Sequence, residues 1–162
     1  MLYIRPAAER DHELVWQLLN EVAVAGETYT FDPAITREEA LAYWLSENNQ
    51  TWVALSEGEF VGTYLLRANQ SGGGSHVANA AFVVSPKAQG KGIGRAMAEH
   101  CLTEARRLGF RAMQFNFVIS TNTSAIHLWK NLGFEIVGTL PGAFRHPRAG
   151  YVDAYVMYRS LL

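Results

Sequence analysis

The chain has 162 residues, 49% of them hydrophobic, and a formal net charge of −1, so it is one domain by size with enough apolar material for a substantial core. The near-neutral charge gives no electrostatic footprint for nucleic acid or an anionic membrane surface, and no apolar run approaches the ~20 residues of a spanning helix. The single cysteine, Cys101, excludes an internal disulfide framework and fits a reducing compartment, and the opening Leu2-Tyr3-Ile4-Arg5-Pro6 reads as a strand rather than a signal peptide, so the cytoplasm is the expected location.

In chain order, Leu2 to Arg5 is a first strand, and Asp11 caps a helix in which Leu14, Val15, Leu18, Leu19 and Val22 recur at helical spacing. A polar and aromatic loop from Ala25 to Pro33 follows, carrying Glu27, Tyr29 and Phe31. Thr36-Arg37-Glu38-Glu39 is a capping box that opens a second helix, predicted to run to about Asn48. Thr51 to Leu55 and Glu59 to Leu66 are strands joined by a tight turn at Glu57-Gly58. After the flexible loop Ser71-Gly72-Gly73-Gly74, His76 to Val84 is a long strand, and a helix from Ile93 to Leu108 stops at Gly109. Cys101 lies inside that helix, which suits a buried structural thiol better than a nucleophile. A strand from Ala112 to Val118, a helix beginning at Asn122, a strand from Phe134 and a last strand from Tyr151 to Arg159 complete the order. Leu140 to Gly150 reads as a long loop, of a kind that is often functional. Arg145 and His146 are therefore substrate-site candidates, against the plainer readings of a surface hairpin or a dimer contact. The order β-α-α-β-β-β-α-β-α-β-β places the chain in the α/β class with a mixed sheet.

The most informative stretch is Val83-Val84-Ser85-Pro86-Lys87-Ala88-Gln89-Gly90-Lys91-Gly92-Ile93-Gly94-Arg95. A buried strand is stopped by Pro86, three glycines alternate, and a helix starts at Ile93. The first-turn N–H groups of a helix lack partners and carry partial positive charge, glycines let the backbone approach an anion, and Lys91 and Arg95 add charge. This predicts a phosphate-bearing ligand. The spacing fits neither the dinucleotide fingerprint G-x-G-x-x-G nor a Walker A loop, which argues against a nucleotide-binding reading. A second segment, Asn122 to Phe134, puts Ala125, Leu128 and Leu132 on one helix face, with Asn122 as N-cap and Gly133 as the left-handed terminator.

Gln89-Gly90-Lys91-Gly92-Ile93-Gly94 resembles the Q/R-x-x-G-x-G/A signature of the GCN5-related N-acetyltransferases (GNAT), and Asn122-Thr123-Ser124-Ala125-Ile126-His127-Leu128-Trp129-Lys130-Asn131-Leu132-Gly133-Phe134 resembles the family's N-x-x-A-x-x-L-Y-x-x-L-G-F. The resemblance covers Tyr3 to Leu162 and implies a GNAT fold with a mixed, mostly antiparallel sheet flanked by helices, in one acetyltransferase domain over residues 1–162. It implies acetyl-coenzyme A (acetyl-CoA) as cosubstrate, its pyrophosphate held by Gln89, Gly90, Lys91, Gly92, Ile93, Gly94 and Arg95. Its pantetheine arm would lie along Phe82, Val83 and Val84, with Asn122 and Trp129 contributing from the neighbouring helix and one strand N–H facing the thioester oxygen. No metal site is implied.

The family transfers the acetyl group by direct attack of a neutral amine. Two positions depart from its pattern. Trp129 stands where a tyrosine is proposed to protonate the leaving thiolate, and an indole N–H does not ionise near neutral pH. Asn79 stands where many relatives carry a carboxylate and cannot accept a proton, leaving Glu27 as the carboxylate placed by resemblance to act as base. Tyr29 and Phe31 join Arg145 and His146 as acceptor-site candidates, and Arg67, Arg145 and Arg148 are candidate bidentate partners for an acidic substrate. Ile4-Arg5-Pro6-Ala7, Tyr29-Thr30-Phe31 and Gly150-Tyr151-Val152-Asp153 are most similar to the phosphinothricin and amino-acid-analogue branch, which implies a small amine bearing an acid group and a possible homodimer. The alternatives are a polyamine, aminoglycoside or protein N-terminus as acceptor, or a coenzyme A-binding module without turnover.

Overall fold

Seven strands and four helices follow one another in the predicted order: β1 Leu2–Pro6, α1 His12–Ala25, α2 Arg37–Trp44, β2 Gln50–Ser56, β3 Glu59–Ala68, β4 Val77–Val84, α3 Ile93–Arg107, β5 Ala112–Ile119, α4 Thr123–Asn131, β6 Glu135–His146 and β7 Gly150–Ser160. The computed structural model describes every residue from Met1 to Leu162. The strands form one sheet in the order β1-β2-β3-β4-β5-β7-β6, in which only β4 and β5 run parallel. No helix is long and apolar enough to cross a membrane.

Alternation of side chains along the strands divides the core in two. Val53, Leu65 and Val83 face α1 and α2, where they meet Val15, Leu18, Leu19, Ala40, Leu41 and Trp44. Ala54, Tyr64, Leu66, Ala78 and Ala80 face the other way, toward Met97, Cys101 and Ala105 of α3 and Trp129 of α4. Trp44 is fully buried, and its indole Nε1 donates to Thr63 Oγ1 at 3.0 Å, while that hydroxyl donates to Trp52 O at 2.7 Å. This satisfied pair pins α2, and the loop before it, to the middle of the sheet.

Four local expectations change. The side chain of Asp11 does not cap α1; it accepts two bonds from Arg5 (2.7 and 2.8 Å) and one from Ala8 N–H (2.7 Å), tying the α1 entry to β1. Helix α2 stops at Trp44 rather than near Asn48, because Asn49 Nδ2 and Thr51 Oγ1 take the Trp44 carbonyl, and Asn49 Nδ2 that of Tyr43 as well. Asn122 makes no side-chain cap, although Gly133 ends α4 as predicted, with Gly133 N–H on Lys130 O and Phe134 N–H on Trp129 O. The predicted loop from Leu140 to Gly150 is mostly strand: β6 continues to His146 and pairs with β7. Pro141 and Gly142 sit in a bulge between Leu140 and Phe144, where Gly142 N–H donates to Asp153 Oδ1 at 2.9 Å instead of to the ladder. An edge strand tolerates proline in such a bulge.

Candidate active site

The sheet is open at its centre. β4 and β5 pair only at Val77↔Ala112 and Ala78↔Met113, then diverge. β5 carries a register shift against β7 between Phe115 and Val118, which bends it. Aromatic rings floor the opening: Phe82 meets Phe115 edge to face at 6.3 Å, and Trp129 lies 5.1 Å from Phe82 and 4.4 Å from Phe115. Asn79 Nδ2 donates to Gln114 O at 3.0 Å, so a side chain replaces the next ladder bond.

The hydrogen-bond pattern of β4 shows which groups face this opening. Asn69 N–H donates to Val77 O and Ser85 N–H to Val61 O, both at 2.8 Å, and the β3–β4 register between them is unbroken. Ladder bonds alternate along an antiparallel strand, so Asn79, Ala81 and Val83 are spent on β3, while Ala80, Phe82 and Val84 turn N–H and C=O toward β5. Val83, expected to line the cofactor path with its neighbours, therefore has no free backbone group to offer.

Beyond β4, Gly90 and Gly92 take φ of 77° and 78°, and α3 begins at Ile93. A Cβ at either glycine would meet no protein atom within 4 Å, so within the chain it is the left-handed backbone that calls for glycine. The N–H groups from Gln89 to Arg95 donate to no protein acceptor. Consecutive free N–H groups at a helix N-terminus form an anion cradle. Arg95 borders it, paired with Glu99 at 2.9 Å, whereas Lys91 is exposed and outside the cavity wall. The donor set thus fits a diphosphate.

Cradle and opening are two ends of one cavity of about 630 Å³. Phe82, Val84, Gln89, Asn122 and Trp129 line it, as do Tyr29 and Phe31 from the α1–α2 loop. At the end away from the cradle, the candidate acceptor end, stand Tyr43, Arg67, Asn79 and Asn116. Arg67 Nη2 donates to the Tyr43 hydroxyl at 2.9 Å, and the guanidinium carbon lies 5.1 Å from that ring's centre. Four expected acceptor-site residues, Glu27, Arg145, His146 and Arg148, do not line the cavity. Arg145 is exposed on β6, and His146 Nδ1 is the acceptor for Arg148 and Ala149 N–H in the β6–β7 turn, both at 3.1 Å. Glu27 also lies outside the lining, with Oε1 2.6 Å from Arg148 Nη2. No carboxylate lines the cavity. Sequence reasoning does not single out Tyr43 or Asn116, because neither belongs to a local motif.

Comparison with known proteins fits this geometry. The model of the acetyltransferase (GNAT) family matches residues 12–134. The chain belongs to the GNAT acetyltransferase family. It is similar to the N-acetyltransferase aca1 of Schizosaccharomyces pombe, 33% identical over 148 residues that span 81% of this chain and 71% of that one. It is also similar to a GCN5-related N-acetyltransferase from Kribbella flavida, at 42% identity and a TM-score of 0.95, covering 98% of this chain and 97% of the other. A shorter match, 33% over 66 residues, covers 41% of this chain and 38% of the L-amino acid N-acyltransferase MnaT of Escherichia coli. As a GNAT enzyme, it is an acetyl-CoA-dependent N-acetyltransferase.

Proposed function

We propose that this enzyme acetylates the primary amine of a small molecule that also bears an acid group, of the amino-acid or amino-acid-analogue class. The observation that carries the reading is the charge of the acceptor end: Arg67 is its one cation, and no carboxylate faces it. A polyamine or aminoglycoside would bring several positive charges to a wall that has nothing to neutralise them, whereas a carboxylate or phosphinate matches the guanidinium fork. The bond to Tyr43 holds that fork in one orientation. The partial likeness to MnaT supports the same class.

On this reading the N–H groups of Gln89 to Arg95 hold the pyrophosphate, and the free groups of Phe82 and Val84 hold the pantetheine arm. Asn122 and Trp129 wall the same path from α4. Fixing the thioester beside the amine makes the attack nearly unimolecular. Asn79 positions β5 through Gln114 and takes no proton. Since no carboxylate lines the cavity, the ammonium gives its proton to water before attack, and Glu27 serves the α1–α2 loop through Arg148.

The test is an acceptor panel assayed for thiol release, with each amino acid matched to its decarboxylated amine. The acid-bearing member of each pair is expected to be preferred. Arg67→Ala should lower kcat/KM for it by about 10–100-fold, as expected for a lost charge-assisted bond, and leave the amine nearly unchanged. Equal rates for acid and amine, or an Arg67→Ala loss that is the same for both, would overturn the reading.

A further inference from the structure

The opening between β4 and β5 ends blind. At its apex the strands still pair, Val77 with Ala112 and Ala78 with Met113, and Asn79 Nδ2 closes the next step on Gln114 O at 3.0 Å. On the side of α3 and α4 it is floored by three rings. Phe82 of β4, Phe115 of β5 and Trp129 of α4 form a triangle: Phe82 and Phe115 lie 6.3 Å apart, Phe82 and Trp129 5.1 Å, and Phe115 and Trp129 4.4 Å. Aromatic centroids in contact are about 4.5–7 Å apart, so these rings touch and leave no room for a further carbon between them. Behind them is a second layer. Phe134 stacks on Phe115 at 4.5 Å, with planes 16° from parallel, and meets Trp129 at 5.8 Å.

The acceptor end opens on the opposite side of the sheet. Arg67 and Asn79 pair across β3 and β4, two positions along from the pair Leu65 and Ala81. Side chains alternate along a strand, so Arg67 and Asn79 leave the sheet on the same face as Leu65, which packs with α1 and α2.

The pantetheine arm, held by Val84 and then Phe82, brings the thioester to this blind end. An acyl group there has three directions in which to lengthen. The amine comes in from the side of α1 and α2, the Asn79–Gln114 bond shuts the apex, and the rings shut the floor. We propose that the blind end is an acyl-length gauge set by Trp129, which admits the acetyl group and rejects propionyl and longer groups. This rests on the path of the arm given above and adds the donor's chain length to the specificity of the enzyme. Trp129 sets the gauge because Phe82 and Phe115 belong to the strands that make the opening, whereas the indole is inserted against both from a helix. It stands where the family motif has tyrosine, and the indole is the larger ring system.

Trp129→Phe keeps a ring against Phe82 and Phe115 and removes the rest of the indole. Thiol release is measured with acetyl-, propionyl- and butyryl-CoA at one fixed acceptor, the fastest of the panel, acid-bearing or not. One methylene too many in a closed pocket costs about 10–200-fold, so wild type is expected to use propionyl-CoA with a kcat/KM lower than that for acetyl-CoA by about that factor, and butyryl-CoA with a lower one still. In Trp129→Phe the ratio of acetyl to propionyl should narrow by at least about 10-fold, with coenzyme A bound within about twofold of wild type by calorimetry. Wild type that uses propionyl-CoA within about threefold of acetyl-CoA overturns the gauge. A Trp129→Phe enzyme that loses rate equally with every donor also overturns it, because Trp129 would then only support the fold. A preference for acceptors without an acid group would sink the acceptor reading, while the donor ratio at that acceptor still decides the gauge.

Discussion

Replacing Gly92 by alanine separates two roles of the cradle that are otherwise entangled. At φ 78° an L-residue pays the left-handed cost of about 1–2 kcal/mol, and a Cβ there meets no protein atom within 4 Å, so the folded chain adds no steric term of its own. The cost appears in one of two places. If the unliganded loop keeps its backbone, folding stability falls by about 1–2 kcal/mol, which is about 2–8 °C in Tm for a chain of this size, and the acetyl-CoA Kd is unchanged. If the loop relaxes when free, Tm holds and binding must restore the strained backbone, which weakens Kd by about 5–30-fold. The two losses should sum to about 1–2 kcal/mol, measured by thermal melting and by calorimetric titration on the same preparation. Gly94→Ala is the internal control. Gly94 lies in the first turn of α3 without positive φ, and its added Cβ would make ordinary contacts of 3.6 Å with Val84 and 3.8 Å with Leu128. It should bind normally and be at least as stable, since alanine exceeds glycine in helix propensity by about 1 kcal/mol. Equal behaviour of the two variants, or a summed loss near zero for Gly92→Ala, would refute the assignment of the cradle to its left-handed backbone.

The remaining predictions concern the two carboxylates that sequence and structure treat differently. Asp11→Asn should lower stability by roughly 3 kcal/mol, because it leaves Arg5, only 15% exposed at its side chain, without a counter-charge. The Arg5 guanidinium holds the Asp11 carboxyl below its ordinary value, so the contribution of this pair is complete above the unfolded pKa of about 3.9 and is lost as pH falls through the folded value. Acid titration of Tm should therefore be flatter in Asp11→Asn than in wild type, and parallel curves would contradict the pairing. Glu27→Gln should give a ratio of mutant to wild-type rate that does not vary with pH, as expected for a carboxylate outside the cavity. A loss that deepens at low pH would restore Glu27 as a base.

Much of this enzyme is written locally. The capping box at Thr36 forms as read, with Glu39 N–H on Thr36 Oγ1 at 3.2 Å and Thr36 N–H on Glu39 Oε1 at 3.3 Å. The glycine punctuation at Gly92 and Gly133 and the helical spacing of Val15, Leu18 and Leu19 also appear as expected. Such signals lie within one turn or one hairpin, where sequence distance and spatial distance are nearly the same. Pro141 and Gly142 mislead for the same reason: they are local breakers, but pairing with β7 and the bond from Asp153 outweigh them. What only the tertiary structure decides is which groups share the cavity. Strand register determines that Phe82 and Val84, but not Val83, have free amides. The packing of α2 through Trp44 brings Tyr43 to Arg67 and, through the Phe31–Tyr29 stack, sets Tyr29 in the same cavity wall as Phe82. Those partners are 24 or more positions apart, and no local periodicity encodes them, because their meeting depends on where whole elements bury their apolar faces.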